Sequence, residues 1–121
     1  MRGVHTILIV DDHADFRVIT RALLEAEGFA VVGDVADGTA GIEAARVLNP
    51  DVVLLDIGLP DIDGFEVART LRASGGEVPT IVLISTRLAA EYGPRIEDSG
   101  AAGFIAKEDL SGSGVRALIG G

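Results

Sequence analysis

The chain is 121 residues long, has no cysteine and carries a formal net charge of −9. That length suits one domain with a substantial core, and the lack of cysteine excludes disulfides, thiolate catalysis and cysteine-held zinc or iron–sulfur centres. A surface this acidic argues against gripping nucleic acid directly and for partners with basic patches or for divalent cations.

Five strand–helix repeats are predicted. A strand over about Thr6–Val10 ends at Asp11-Asp12. A helix follows from near Ala14 to Ala26, with Phe16, Ile19, Leu23 and Leu24 on or near one face, and Gly28 stops it. A second strand is expected over Ala30–Val35, then a turn at Asp37-Gly38-Thr39, with Thr39 as a candidate cap for a helix running to Leu48. Asn49-Pro50 ends that helix.

The third strand is expected over Asp51–Leu55 and is closed by Asp56. A long loop, Ile57 to Gly64, leads to a helix over Phe65 to Ala73. Asp61 and Asp63 are expected to shape the turn into this helix. The fourth strand, Thr80–Ile84, ends at Ser85-Thr86. A fourth helix is expected over Ala89 to Asp98, interrupted in its first turns by Gly93-Pro94. The fifth strand, Ala102–Ile105, leads to Lys107. In the tail, Leu110, Val115, Leu118 and Ile119 line one helix face, but Gly112 and Gly114 weaken it by about 1 kcal/mol each relative to alanine, so a short or frayed helix is expected.

Short apolar runs bounded by turn residues read as buried strands of a parallel sheet, and hence an α/β fold. Hydrophobic residues at 48% and aromatics at 4% fit an aliphatic core between two helical layers. The expected unit is a single domain over residues 1–121 with no output domain inside it. No apolar run reaches membrane-spanning length and no secretory leader is visible, so the expected location is the cytoplasm, with no membrane contact.

In an open parallel sheet, ligands bind at the carboxyl ends of the strands. Asp11, Asp12, Asp56 and Lys107 should therefore converge. Three carboxylates make a hard oxygen environment suited to Mg2+, with the backbone carbonyl of Gly58 as a further candidate ligand. The plainer reading of Asp11 or Asp12 is a cap on the first helix. Asp56 beside a divalent cation can also attack an activated phosphoryl group. Lys107 and the Ser85 hydroxyl could then cover two of its oxygens; the plainer alternative for Lys107 is a surface ion pair with an aspartate. His13 either handles a phosphoryl group or simply faces solvent at the helix start. Tyr92 and Phe65 read as packing residues.

These segments together resemble the receiver domain of two-component response regulators. The resemblance rests on Val10-Asp11-Asp12-His13, on Asp56-Ile57-Gly58-Leu59-Pro60-Asp61-Ile62-Asp63-Gly64-Phe65, on Ile84-Ser85-Thr86 and on Gly103-Phe104-Ile105-Ala106-Lys107. It implies a flavodoxin-like three-layer sandwich with a doubly wound five-stranded parallel sheet of order 2-1-3-4-5. Asp56 is then the phospho-acceptor, and Asp11, Asp12, Asp56 and the Gly58 carbonyl hold Mg2+. Lys107 is the site lysine, and Ser85 and Phe104 form the switch pair. The implied phosphoryl donor is a sensor histidine kinase or a histidine phosphotransfer protein.

The implied readout is the surface of the fourth helix, fifth strand and fifth helix. A monomer, or a weak dimer strengthened by phosphorylation, is expected. Glu108, where a proline is common, points to the branch that carries a helix-turn-helix output. Thr86 narrows access to the site, and Gly58 bears on attack by water. The competing readings are a receiver-like scaffold that is never phosphorylated and an aspartyl-phosphate phosphohydrolase.

Overall fold

The computed structural model describes residues 4–119. Strands β1 (Thr6–Val10), β2 (Ala30–Val35), β3 (Val52–Asp56), β4 (Thr80–Ser85) and β5 (Gly103–Ala106) form one parallel sheet in the order β2-β1-β3-β4-β5. Helices α1 (Ala14–Ala26), α2 (Gly38–Leu48), α3 (Gly64–Ala73), α4 (Arg95–Asp98) and α5 (Gly112–Ile119) cover it. The doubly wound α/β architecture and strand order agree with expectation.

The central strands are apolar on both faces because each face has its own core. Ile7 and Ile9 of β1, Val52 and Leu54 of β3, and Val82 and Ile84 of β4 pack with Leu24 of α1 and Val115 of α5. The alternate residues Leu8, Val10, Val53, Leu55, Ile81 and Leu83 pack with Ala45 of α2 and with Val67, Ala68 and Leu71 of α3. Period-two alternation thus sends neighbouring residues into opposite cores.

Several local expectations are corrected. The buried face of α1 carries Thr20 and Leu24, whereas Ile19 is 65% exposed. A 3.6-residue period fits either set, and packing on the sheet selects the one containing Thr20. Asp37, rather than Thr39, caps α2: its side chain accepts from the Ala40 N–H at 2.7 Å. Asp63 does shape the start of α3, accepting from the Glu66 N–H, but Asp61 turns away toward α2.

Strand β3 starts one residue later than expected, because Asp51 is spent on the start of β1. Its carboxylate accepts from both the N–H and the hydroxyl of Thr6. The expected fourth helix is split into a 3-10 turn, Ala89–Glu91, and the single turn α4. Gly93 breaks it with φ of +59°, and Pro94 has no N–H to continue a helical ladder.

Among the described residues the tail forms a helix of 8 residues, which runs to the last of them. Its Val115, Leu118 and Ile119 pack on the α1-side core, joined by Leu110, which lies before the helix instead of on its face. The Gly112 N–H donates to the Glu27 carboxylate at 3.3 Å, tying the start of this helix to the end of α1.

Candidate functional site

The carboxyl ends of β1, β3, β4 and β5 bring the candidate residues to one edge of the sheet. Asp11 follows β1 and is fully buried; its N–H donates to the Val35 carbonyl, which continues the β1–β2 ladder by one residue. Its Oδ1 accepts the His13 N–H at 2.8 Å, and its carbonyl accepts from Arg17 Nη1 at 2.7 Å. Arg17 and Arg21 also clasp Asp34 of β2, binding α1 to the sheet edge. The Arg21 hydrogen bond, with Arg17 adding to it, holds the Asp34 carboxyl below its usual range.

Asp56 ends the central strand β3 and is 4% exposed. The next residue is pinned at both backbone groups, Ile57 N–H donating to the Ile84 carbonyl and Gly64 N–H donating to the Ile57 carbonyl. Gly64 is required here, since a Cβ would lie 2.6 Å from the Asp56 carbonyl oxygen. The Gly58 N–H turns back to Asp56 Oδ1 at 3.3 Å, while the space around Gly58 itself is open.

Lys107 enters from the end of β5, nearly buried, with Nζ 4.5 Å from the centre of the Phe16 ring. It faces Asp11 Oδ2 at 2.5 Å and Asp56 Oδ2 at 3.5 Å. Burial raises the Asp56 carboxyl above its ordinary range. Lys107 and the Gly58 N–H oppose that rise, and the Asp11 carboxylate adds to it.

Ligand atoms of Asp11, Asp12, Asp56 and also His13 all lie within 4.8 Å of one another. His13 faces solvent, with its side chain 64% exposed, yet Nδ1 is 3.1 Å from both Asp11 Oδ1 and Asp12 Oδ1. Its adjacency to the acid pair was visible in the sequence, but its rotamer was not. Asp11 Oδ2 is buried and, among the described residues, takes no hydrogen bond of ordinary geometry; the Lys107 ammonium lies 2.5 Å from it. Crowded carboxylates and an under-coordinated buried oxygen fit a divalent cation.

Ser85 ends β4, buried, beside this cluster. Its hydroxyl is 2.6 Å from the Tyr92 hydroxyl and accepts the Arg87 N–H at 3.0 Å. Phe104 is half-buried on β5, its ring 6.1 Å from that of Tyr92. Tyr92 in turn meets Phe65 edge-on at 5.6 Å. The Tyr92–Ser85 contact escaped the sequence reading, because Tyr92 lies seven positions after Ser85 across a non-repeating connection and no periodicity joins them.

A family model for the response regulator receiver domain matches residues 7–112. The chain belongs to this family. The transcription regulator BvgA of Bordetella pertussis is 41% identical over 104 residues, covering 85% of this chain and 49% of that protein. Response regulator GacA of Pseudomonas viridiflava is 36% identical over 116 residues, covering 93% of this chain and 51% of that protein.

The receiver therefore spans about half the length of these curated relatives. The signal receiver domain of the response regulator NarL from Mycobacterium tuberculosis superposes with a TM-score of 0.83 at 31% identity, covering 99% of this chain and 100% of that one. Receiver domains bind Mg2+ at an acidic pocket, and this chain has a cluster of aspartates, Asp11, Asp12 and Asp56. Among the described residues no helix is long and apolar enough to cross a membrane.

Proposed function

We propose that this receiver accepts a phosphoryl group on Asp56 from the phosphohistidine of a sensor kinase or of a phosphotransfer protein. The observation that carries the reading is the placement of Asp56. It is buried at the end of the central strand, with Asp11, Asp12 and His13 clustered on one side and Lys107 spanning Asp11 and Asp56.

A carboxylate oxygen of Asp56 forms the new bond to phosphorus as the phosphorus–nitrogen bond of the donor breaks, and the released imidazole takes a proton from solvent. Burial disfavours the ionised nucleophile, and the Lys107 ammonium offsets that cost before transfer. Asp11, Asp12, Asp56 and the Gly58 carbonyl would hold Mg2+. When bound, the ion supplies positive charge to the phosphoryl oxygens. Lys107 then neutralises a phosphoryl oxygen, and Ser85 donates its hydroxyl to another once it turns toward Asp56.

The space vacated by Ser85 accommodates Phe104, shifting the population toward a second packing of the α4-β5-α5 face. The only chemistry is the receiver's own phosphorylation and dephosphorylation, carried out in the cytoplasm. The output lies in a partner or in a further segment of the kind that accounts for the greater length of the relatives, with self-association weak before phosphorylation.

Intact mass after exposure to a small phosphodonor, with and without Mg2+, tests the reading. One Mg2+-dependent phosphoryl group, absent from Asp56→Asn, is expected. No uptake, as in a pure scaffold, or modification mapped to Asp11 or Asp12, would overturn it.

A further inference from the structure

Tyr92 has a position that the acceptor site does not explain. It lies at the joint between the 3-10 turn Ala89–Glu91 and Gly93-Pro94. Its N–H donates to the Ala89 carbonyl, and its own carbonyl accepts the Arg95 N–H. The ring is set between Phe65 of α3 and Phe104 of β5, which aims the hydroxyl at Ser85 Oγ, 2.6 Å away.

A serine hydroxyl has one proton and two lone pairs. In the resting receiver one lone pair takes the Arg87 N–H, and the bond to Tyr92 occupies a further position on the same oxygen. Both partners come from the β4–α4 connection. Ser85 therefore cannot swing toward a group on Asp56 without releasing that connection.

We propose that Tyr92 is a positioning residue that latches Ser85 in its resting orientation, so that loss of the Tyr92–Ser85 bond carries phosphorylation to the surface around α4. The proposal rests on Ser85 engaging the phosphoryl group, as argued above. Once the latch opens, the side-chain ion pairs left to the segment among the described residues are exposed ones, Arg87 with Glu91 at 3.6 Å and Arg95 with Asp63 at 3.4 Å. Exposed pairs of this kind hold a segment weakly. The latch also sets a threshold, because the bond must be given up before Ser85 can serve the phosphoryl group.

The chain has one tyrosine and no tryptophan, so its tyrosine fluorescence reports on Tyr92 alone. Wild-type protein is treated with a small phosphodonor and Mg2+, and fluorescence and intact mass are followed together. A fluorescence change that tracks phosphoryl uptake, and is absent in Asp56→Asn, is expected.

Tyr92→Phe keeps the ring between Phe65 and Phe104 and removes only the hydroxyl. It should retain the wild-type fold by circular dichroism and reach half-maximal phosphorylation at roughly 2- to 10-fold lower phosphodonor, the range of one net hydrogen bond. Phosphoryl uptake with unchanged Tyr92 fluorescence, or a Tyr92→Phe titration that overlays the wild type, overturns the latch and leaves the acceptor reading standing. No uptake by the wild type overturns the acceptor reading and the latch with it.

Discussion

Lys107 is held more closely by Asp11 than by Asp56: Nζ lies 2.5 Å from Asp11 Oδ2 and 3.5 Å from Asp56 Oδ2. In the metal-free receiver the lysine therefore acts first as a counter-ion for the most deeply buried acid. Turning to a group on Asp56 requires some other positive charge to compensate Asp11. The expected division of labour is a cation on Asp11 and Asp12, with the lysine freed for Asp56.

Replacing Lys107 by methionine should leave Asp11 buried without its counter-ion. Removing one partner of a buried pair costs roughly 3 kcal/mol. Denaturant unfolding should show a loss of this size in the metal-free variant, and added Mg2+ should recover part of it. Equal stability of variant and wild type without metal would show that the Lys107–Asp11 pair contributes nothing to it.

Asp56→Asn should raise metal-free stability. The folded carboxyl is lifted above its ordinary value of 3.8, first by burial and further by Asp11, against the pull of Lys107. The folded state thus holds the proton to higher pH than the unfolded state. The contribution of Asp56 is most favourable below the unfolded value and is lost as pH rises through the folded one. At neutral pH the ionised group is a net cost that asparagine removes. An upward shift in Tm of a few degrees is expected without metal, and a lower Tm would contradict this account.

Asp61→Ala should weaken the tie between the loop after Asp56 and the start of α2. Asp61 accepts from the Thr39 hydroxyl at 2.6 Å and from the N–H groups of Thr39 and Gly38 at 2.9 and 2.8 Å. These bonds, the hydroxyl first, hold its carboxyl far below the usual range. A depressed carboxyl contributes stability above its unfolded value and loses it as pH falls through the folded one. Thermal melts should therefore separate variant from wild type at neutral pH and bring them together in strong acid. A constant separation across pH would point to backbone strain instead of the lost carboxylate.

Gly64→Ala and Gly58→Ala should differ sharply although both glycines flank the acceptor loop. At Gly64 the new methyl would lie 2.6 Å from the Asp56 carbonyl oxygen and 2.8 Å from Ile57 Cα. Backbone must move, at about 1–3 kcal/mol, and phosphoryl uptake should fall as Asp56 shifts. At Gly58 the methyl meets nothing within 4 Å, so stability should stay within about 0.5 kcal/mol. Denaturant midpoints of the two variants check the contrast, which fails if Gly58→Ala is the more damaging.

Apolar runs ending in Asp11-Asp12, Asp56, Ser85 and Lys107 determined by themselves that these groups stand at the carboxyl edge of a parallel sheet, because a strand buried on both faces must be apolar throughout and expose its chemistry only at its end. Turn residues marked most helix boundaries for a similar reason: glycine, proline and the short acids act on the backbone within a few residues of themselves. Contacts set by distance in space were not legible in that way. Which face of α1 turns inward was decided by the sheet, which buries Thr20 and leaves Ile19 in solvent. That Asp61 crosses to α2, that Lys107 prefers Asp11, and that Tyr92 reaches Ser85 were decided only by tertiary packing. Each depends on a side-chain direction at the meeting of two elements, and neither periodicity nor local propensity constrains such a direction.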